Sequence, residues 1–460
     1  MKRVFAVVLT LALCIGTAAP IQASLSPAVR RDALAAGQQL AKAIEIIMTY
    51  YLDSLTIDEL YEAAAKGMTE KLHQTGYHAG MPTVTVGTTF PVQVARQNLS
   101  ISDEALAAGQ SLAESIKLIM AQYANYLTVN ELMEATLHGM TQVLDTYSVY
   151  MNSSEYDRFI KVMSGKIPGL GVIKAEKDCG CRKVYYVCSN SIIYEMGLQP
   201  GDVFVFINWK PIRNLNLDEV IERIFHVEND LVHIVVRRDG DFRVFDVAMS
   251  ELYTSSVAVK RFEYMPVAQG FGNLDQVRYM HISTIGRVTG NSVKQALKQM
   301  QQEGVRKLIL DLQGNTGGYL DITVDIANLL VPEGIVLQTI DKAGQGRTHT
   351  STLQKTPFEK IVVLVDRYTA SGAEVIASAL QDSGVAVVIG ETTYGKGLVQ
   401  SIYELGPDGA LKITTKEYFR RNGGRINEVG VIPCILIEEF QIPGGPDAIM
   451  YRALQILTGR

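Results

Sequence analysis

No long run of Lys or Arg breaks this 460-residue sequence: 43 basic residues are scattered among 48 acidic ones, for a formal net charge of −5. Nucleic-acid binding needs a clustered positive surface, so no nucleic-acid partner is expected. Cysteine is sparse, at five residues. Cys179-Gly180-Cys181 with Cys188 is the densest group and Cys434 stands apart; no His lies near that group in sequence, and zinc wants four ligands in paired spacing. Loop thiols or a disulfide are expected there, and no metal. Past residue 23 no apolar run reaches the ~20 residues that cross a bilayer. What remains is ordinary globular composition, 47% hydrophobic and 20% charged, which excludes disordered and collagen-like classes. At about 150 residues per domain, the length suggests about three domains.

The first residues form a separate signal. Lys2 and Arg3 precede the apolar run Val4–Ile15, and Ile21-Gln22-Ala23 makes a small-residue cleavage site before Ser24. Residues 1–23 read as a cleaved signal peptide, which places the mature protein outside the cytoplasm. Cys14 follows Leu13, where lipoprotein attachment expects a small residue.

The N-terminal third is written twice. Ala33–Leu72 aligns without gaps on Ala105–Leu144 at an offset of 72, with 22 of 40 pairs identical, including Gly37/Gly109 and Gly67/Gly139. Each copy reads as two helices. Leu40, Ile44, Ile47, Met48 and Tyr51 form an apolar stripe at helical spacing. Thr56 with Glu59, and Thr128 with Glu131, form capping boxes for the second helices. The first copy spans 24–75, a Gly/Thr/Pro-rich linker 76–100, and the second copy with its connector 101–166.

The period then changes. Val184–Cys188, Val203–Ile207, Val232–Val236 and Arg243–Val247 read as short strands, interrupted by a helix at Leu217–Phe225, within a β-rich domain at 167–250. From 251 to 460 strands and helices alternate: strands Val277–Ile282, Lys307–Leu312, Ile361–Val365 and Val385–Ile389, with helices Val288–Gln302, Leu320–Leu330 and Gly372–Ser383. That alternation predicts an α/β domain.

Three Gly-rich turns follow strands of the last domain: Gln313–Gly318, Tyr368–Gly372 and Thr393–Gly397. Ligands collect at the carboxyl ends of strands in such domains, so the turns can share one site. Ser371-Gly372-Ala373-Glu374 fits a helix-capping box. It equally fits a nucleophile on a strand-to-helix turn, with the Gly372 N–H facing a developing oxyanion. Serine needs a base. The seven His residues offer no obvious partner, and His281 reads as a core residue. Lys396, flanked by Gly395 and Gly397, is the better candidate, because a neutral Lys can act as the base in a Ser–Lys pair. Gly390–Lys396 matches most of a phosphate-binding P-loop, but Gly397 stands where Ser or Thr must reach Mg²⁺.

Thr369–Glu374 and Gly390–Gln400, with Lys396 lying 25 residues after Ser371, resemble the carboxyl-terminal processing (tail-specific) serine peptidases, as does Leu310–Gly318. Upstream, Leu144-Asp145-Thr146-Tyr147-Ser148-Val149-Tyr150 resembles the segment that joins that family's helical region to its PDZ domain. Gly169-Leu170-Gly171-Val172 resembles a PDZ carboxylate-binding loop, and Gly197–Asp202 a PDZ turn. The likeness covers about residues 105–440. It implies a multidomain α/β protein in which a helical region, here duplicated, accompanies a PDZ domain and a crotonase-like serine peptidase core. Ser371 is then the nucleophile, Lys396 the general base and Gln400 the group that orients the base. The N–H groups of Gly318 and Gly372 form the oxyanion hole, and Glu374 is a structural cap. Gly169, Leu170, Gly171 and Val172 bind the C-terminus of substrates, which are proteins or peptides with apolar free tails. No cofactor or metal is implied. The alternative is an inactive PDZ-bearing scaffold on the same fold.

The sequence departs from that family pattern in three places. Gly372 replaces the usual Ala after the nucleophile. Gln313 and Thr316 replace an Arg and a Pro of the loop before Gly317-Gly318. The duplicated helical module is an addition, expected to serve as an extra packing unit or to join copies of the chain into a homo-oligomer.

Overall fold

The computed structural model describes residues 25–75, 101–163, 172–178, 181–187, 193, 196–199, 201–213, 215, 223, 231–248, 256–262, 266–437 and 447–459. The expected signal peptide, the linker 76–100, Gly169, Leu170, Gly171, Cys179, Cys188 and nearly all of the helix expected at Leu217–Phe225 lie outside the described residues. Packing divides the chain into two compact units. The first takes the chain up to Arg158 together with Ile340–Gly346 and Leu398–Glu417; the second takes Phe159–Thr339, Arg347–Gly397 and Tyr418–Arg460. Two stretches from within residues 251–460 thus pack with the N-terminal helices.

In the first unit, copy one forms helices Pro27–Tyr50 and Ile57–Gln74, and copy two forms Asp103–Tyr123 and Val129–Thr141. Ser26 and Ser102 cap the first helix of each copy, and both halves of the expected capping boxes are made at Thr56/Glu59 and Thr128/Glu131. First helix packs on first helix and second on second. The stripe read from the sequence faces this contact: Leu40, Ile44, Ile47 and Tyr51 are buried, with Leu112, Ile116 and Leu132 in the same core. Polar contacts also link the copies. Tyr61 and Ser111 hydroxyls meet at 2.6 Å, the Glu45 carboxylate accepts from the Ser102 N–H at 2.9 Å and its hydroxyl at 2.6 Å, and Lys71 pairs with Glu131 at 3.4 Å.

The Asp145–Tyr150 segment ties these helices to a hairpin of the same unit. The Asp145 carboxylate accepts from the N–H groups of Tyr147 (2.7 Å) and Ser148 (2.9 Å), and the Ser148 hydroxyl accepts from the Thr414 N–H at 3.0 Å. Strand Val149–Met151 runs antiparallel to Ala410–Arg420, which also pairs with Leu398–Glu404.

The second unit holds two sheets. One has six antiparallel strands: Val172–Asp178, Cys181–Val187, Val203–Ile207, Lys210–Pro211, Leu231–Arg238 and Asp241–Ala248. The alternation of Val232, Ile234 and Val236, and of Phe245 and Val247, fills its core. Its Gly197–Asp202 turn is locked by the buried Asp202. That carboxylate accepts from the Gln199 N–H at 2.9 Å and from two nitrogens of Arg238 at 2.5 and 2.7 Å.

The other sheet runs in the order Ile435–Leu436, Ala386–Gly390, Lys360–Val365, Lys307–Asp311, Val277–Ile282, Val257–Lys260. All pairs are parallel except the last. Parallel strands are covered on both faces and therefore read as apolar runs, which is why they were legible. Helices Thr289–Gln302, Leu320–Asn328 and Gly372–Asp382 also fall within two residues of the sequence reading. Helix Asp447–Thr458 was not anticipated; Ile449, Ala453, Leu454 and Leu457 bury it in the core with Ile309, Val362 and Ile389. The hairpins Gly334–Asp341/Gly346–Ser351 and Leu398–Glu404/Ala410–Arg420 were also missed. Residues 398–403 are all half-buried, so no apolar face marks that strand in the sequence.

No helix among the described residues is long and apolar enough to cross a membrane.

Candidate active site

The three Gly-rich turns leave the carboxyl ends of strands Lys307–Asp311, Lys360–Val365 and Ala386–Gly390 in the second unit, and buried polar groups sew them together. Asp366 accepts from the Gly314 N–H at 3.0 Å and the Thr369 N–H at 2.8 Å. The Ala370 N–H donates to the Asn315 carbonyl at 2.8 Å, and the Tyr394 N–H to the Thr369 carbonyl at 3.0 Å. Asn315 is fully buried; its amide donates to the Ile282 carbonyl and its oxygen accepts from the Gly317 N–H, each at 2.8 Å.

Ser371 stands at the head of helix Gly372–Asp382 with φ 55 and ψ −121, a left-handed conformation that a non-glycine residue rarely adopts. Such strain persists only where the surroundings hold it. Here they do. A Cβ on Gly317 would lie 2.7 Å from the Gly372 nitrogen and 2.8 Å from the Ser371 Cβ, so only glycine lets the second turn close on the first. A Cβ on Gly318 would lie 2.0 Å from the Ile285 carbonyl oxygen. Among the described residues, the N–H groups of Gly318 and Gly372 donate to no acceptor. They lie in adjoining turns beside Ser371.

A Cβ on Gly372 would meet the Thr323 Oγ1 at 2.4 Å. Thr323 is buried, and its hydroxyl is held by the Tyr319 carbonyl at 2.9 Å. The threonine thus occupies the space that a methyl at position 372 would need. Gly372 is matched to its neighbour and its backbone is packed.

Glu374 joins the serine turn to the lysine turn. Its buried carboxylate accepts from the N–H groups of Ser371 (2.7 Å), Gly395 (2.7 Å) and Lys396 (2.9 Å), and from the Thr393 hydroxyl. Burial pushes its pKa up, and these four hydrogen bonds oppose the rise. The capping spacing foretold only the Ser371 contact; the link to Lys396 is long-range and has no local signature. Tyr418, also unread from the sequence, grips the other side. Its hydroxyl donates to the Lys396 carbonyl and its N–H to the Gly397 carbonyl at 2.9 Å. Gly395 and Gly397 are required by backbone approach: a Cβ on Gly397 would lie 2.3 Å from the Asn427 nitrogen. A strand, Leu398–Glu404, follows where a P-loop needs a helix, so the P-loop likeness is coincidental.

Gln400 belongs to the first unit, where its amide donates to the Thr414 hydroxyl at 3.2 Å. Val172 opens the strand Val172–Asp178. His281 is buried in strand Val277–Ile282, 3.7 Å from Asp311 Oδ2, and neither ring nitrogen has a hydrogen-bond partner. Among the described residues no cluster of His, Cys, Asp and Glu could hold a metal ion, and Cys434 is free and exposed.

Residues 276–437, which contain all three turns, match the model of Peptidase family S41. The chain is 28% identical over 338 residues to the carboxyl-terminal-processing protease of Synechocystis sp., covering 71% of this chain and 78% of that protein. It is 28% identical over 341 residues to the carboxyl-terminal-processing protease of Picosynechococcus sp., covering 72% and 80%. It is 25% identical over 364 residues to the carboxy-terminal processing protease CtpA of Bacillus subtilis, covering 77% and 75%. On these likenesses the chain is a serine peptidase.

Proposed function

We propose that this protein is a carboxyl-terminal processing peptidase with a Ser371–Lys396 dyad. The supporting observation is the strained Ser371 at a helix N-terminus, next to the undonated N–H groups of Gly318 and Gly372. Ser371 Oγ attacks the scissile carbonyl carbon and its proton passes to neutral Lys396 Nζ. The oxyanion is held by the Gly318 and Gly372 N–H groups, aided by the positive end of helix Gly372–Asp382. The leaving amine then takes the proton from Lys396, and water releases the acyl group from Ser371 by the same route. Gln400, four residues after Lys396, orients its amine. The step needs the Lys396 amine uncharged, so activity falls as acid protonates it.

Residues 167–250 act as a PDZ domain beside a crotonase-like core. Gly169, Leu170, Gly171 and Val172 receive the free carboxylate of an apolar protein tail, which adds as a strand. The charged and apolar pattern of residues 1–23 supports export, so the substrates lie outside the cytoplasm.

The test is cleavage of an unfolded protein with an apolar C-terminus by the chain and by Ser371→Ala and Lys396→Ala. Both variants should be inactive, and equal cleavage by all three overturns the dyad. Amidating the substrate's C-terminus should slow cleavage; an unchanged rate overturns carboxylate docking.

A further inference from the structure

The two helical copies meet by the same contacts read in both directions. A Cβ on Gly37 would lie 2.7 Å from the Ala113 Cβ and 2.9 Å from the Gly109 carbonyl oxygen. A Cβ on Gly109 would lie 2.6 Å from the Ala41 Cβ and 2.4 Å from the Gly37 carbonyl oxygen. Ala41 and Ala113 are equivalent under the 72-residue offset. The second helices repeat the pattern. A Cβ on Gly67 would lie 2.1 Å from the Ala135 carbonyl oxygen, and one on Gly139 would lie 2.3 Å from that of Ala63. Each of these two would also lie 3.0 Å from the Cα of the other glycine. Ala63 and Ala135 are again equivalent. Residue i of one copy meets j of the other, and j meets i, which is the signature of an isologous two-fold interface. Small residues alone would say nothing about a partner. Here the face is seen filled, at backbone contact, by a module of related sequence.

We propose that this face is a self-pairing surface, and that the first copy is the partner supplied within the same chain. The residues at the closest contacts are identical in the two copies, so a face complementary to the first copy is complementary to itself. A chain carrying only the second copy exposes Gly109, Ala113, Ala135 and Gly139 with the apolar core around them, and it pairs with a second copy of that shortened chain. In the intact chain the face is closed. The pairing is made inside one chain.

Sedimentation equilibrium tests this on the full chain, on a chain lacking residues 24–100, and on that deletion with Gly109→Leu. Helical content is followed by circular dichroism. The deletion should double the particle mass relative to one chain's share in the full-length sample, and Gly109→Leu should reverse the doubling. Gly37→Leu in the full chain provides a second route that keeps both copies. It displaces the first copy but leaves the second copy's face intact, so it too should double the mass, and Gly37→Leu with Gly109→Leu should not. An unchanged mass for both the deletion and Gly37→Leu overturns the proposal. So does a doubling that Gly109→Leu leaves untouched.

Discussion

Glu374 accepts a hydrogen bond from the Lys396 backbone N–H at 2.9 Å, and the same carboxylate holds the Ser371 N–H at 2.7 Å. One buried side chain therefore sets the spacing between the two turns proposed to carry the nucleophile and the base. Glu374→Ala leaves these donors without an acceptor. We expect a loss of about 3 kcal/mol in stability, and a kcat about a hundredfold lower from misplaced turns, with KM little changed. Steady-state kinetics below the variant's melting temperature check this; wild-type kcat in a folded Glu374→Ala protein would falsify the positioning role.

The same carboxyl gives a pH dependence. Burial raises its folded-state pKa above the ordinary 4.5. A carboxyl raised in this way favours the fold most when protonated, so its contribution is full below 4.5 and is lost as pH climbs through the raised value. The Tm of the wild type relative to Glu374→Gln should therefore be highest in acid and decline as pH rises. A difference that stays flat from acid to neutral pH contradicts this.

Gly372 and Thr323 should behave as a coupled pair. Gly372→Ala alone drives a methyl into the Thr323 hydroxyl and should cost roughly 1–3 kcal/mol. Thr323→Ala removes that hydroxyl, so the double variant should recover at least about 1 kcal/mol beyond additivity. Denaturant melts of the two single variants and the double variant measure the coupling, and strict additivity would count against the match.

Ser371→Gly and Ser371→Ala should both be inactive yet differ in stability. Glycine tolerates the positive φ that alanine does not, so the glycine variant should be the more stable by about 1 kcal/mol. If the alanine variant melts higher, the serine is not strained as its backbone suggests.

Much of this arrangement could be read from the amino-acid order, and the reasons are local. Lys307–Asp311 and Lys360–Val365 announce themselves because strands covered on both faces are apolar throughout. Thr56/Glu59 and Thr128/Glu131 are visible because a capping box is complete within four residues. Ser371, Lys396 and the glycines stand out through their motifs. What escaped depends on distance in sequence. Tyr418 reaches the Lys396 carbonyl across 22 residues, and Glu374 serves Lys396 across 22, so nothing nearby marks either role. Thr323 is an ordinary helical residue until its hydroxyl is seen where a methyl on Gly372 would go.

The pairing of the two helical copies also changes what mutation can do to them. In a symmetric dimer every substitution occurs twice, once on each side of the axis, so an asymmetric contact cannot be introduced by a single change. Two copies in one chain are released from that constraint. The pairs equivalent by offset to Tyr61 with Ser111, Glu45 with Ser102 and Lys71 with Glu131 are Met133 with Gln39, Lys117 with Arg30, and Val143 with Glu59, whose side chains cannot repeat the same contacts. The glycine contacts have kept the symmetry while the polar rim has lost it, so each copy has become fitted to the other rather than to itself.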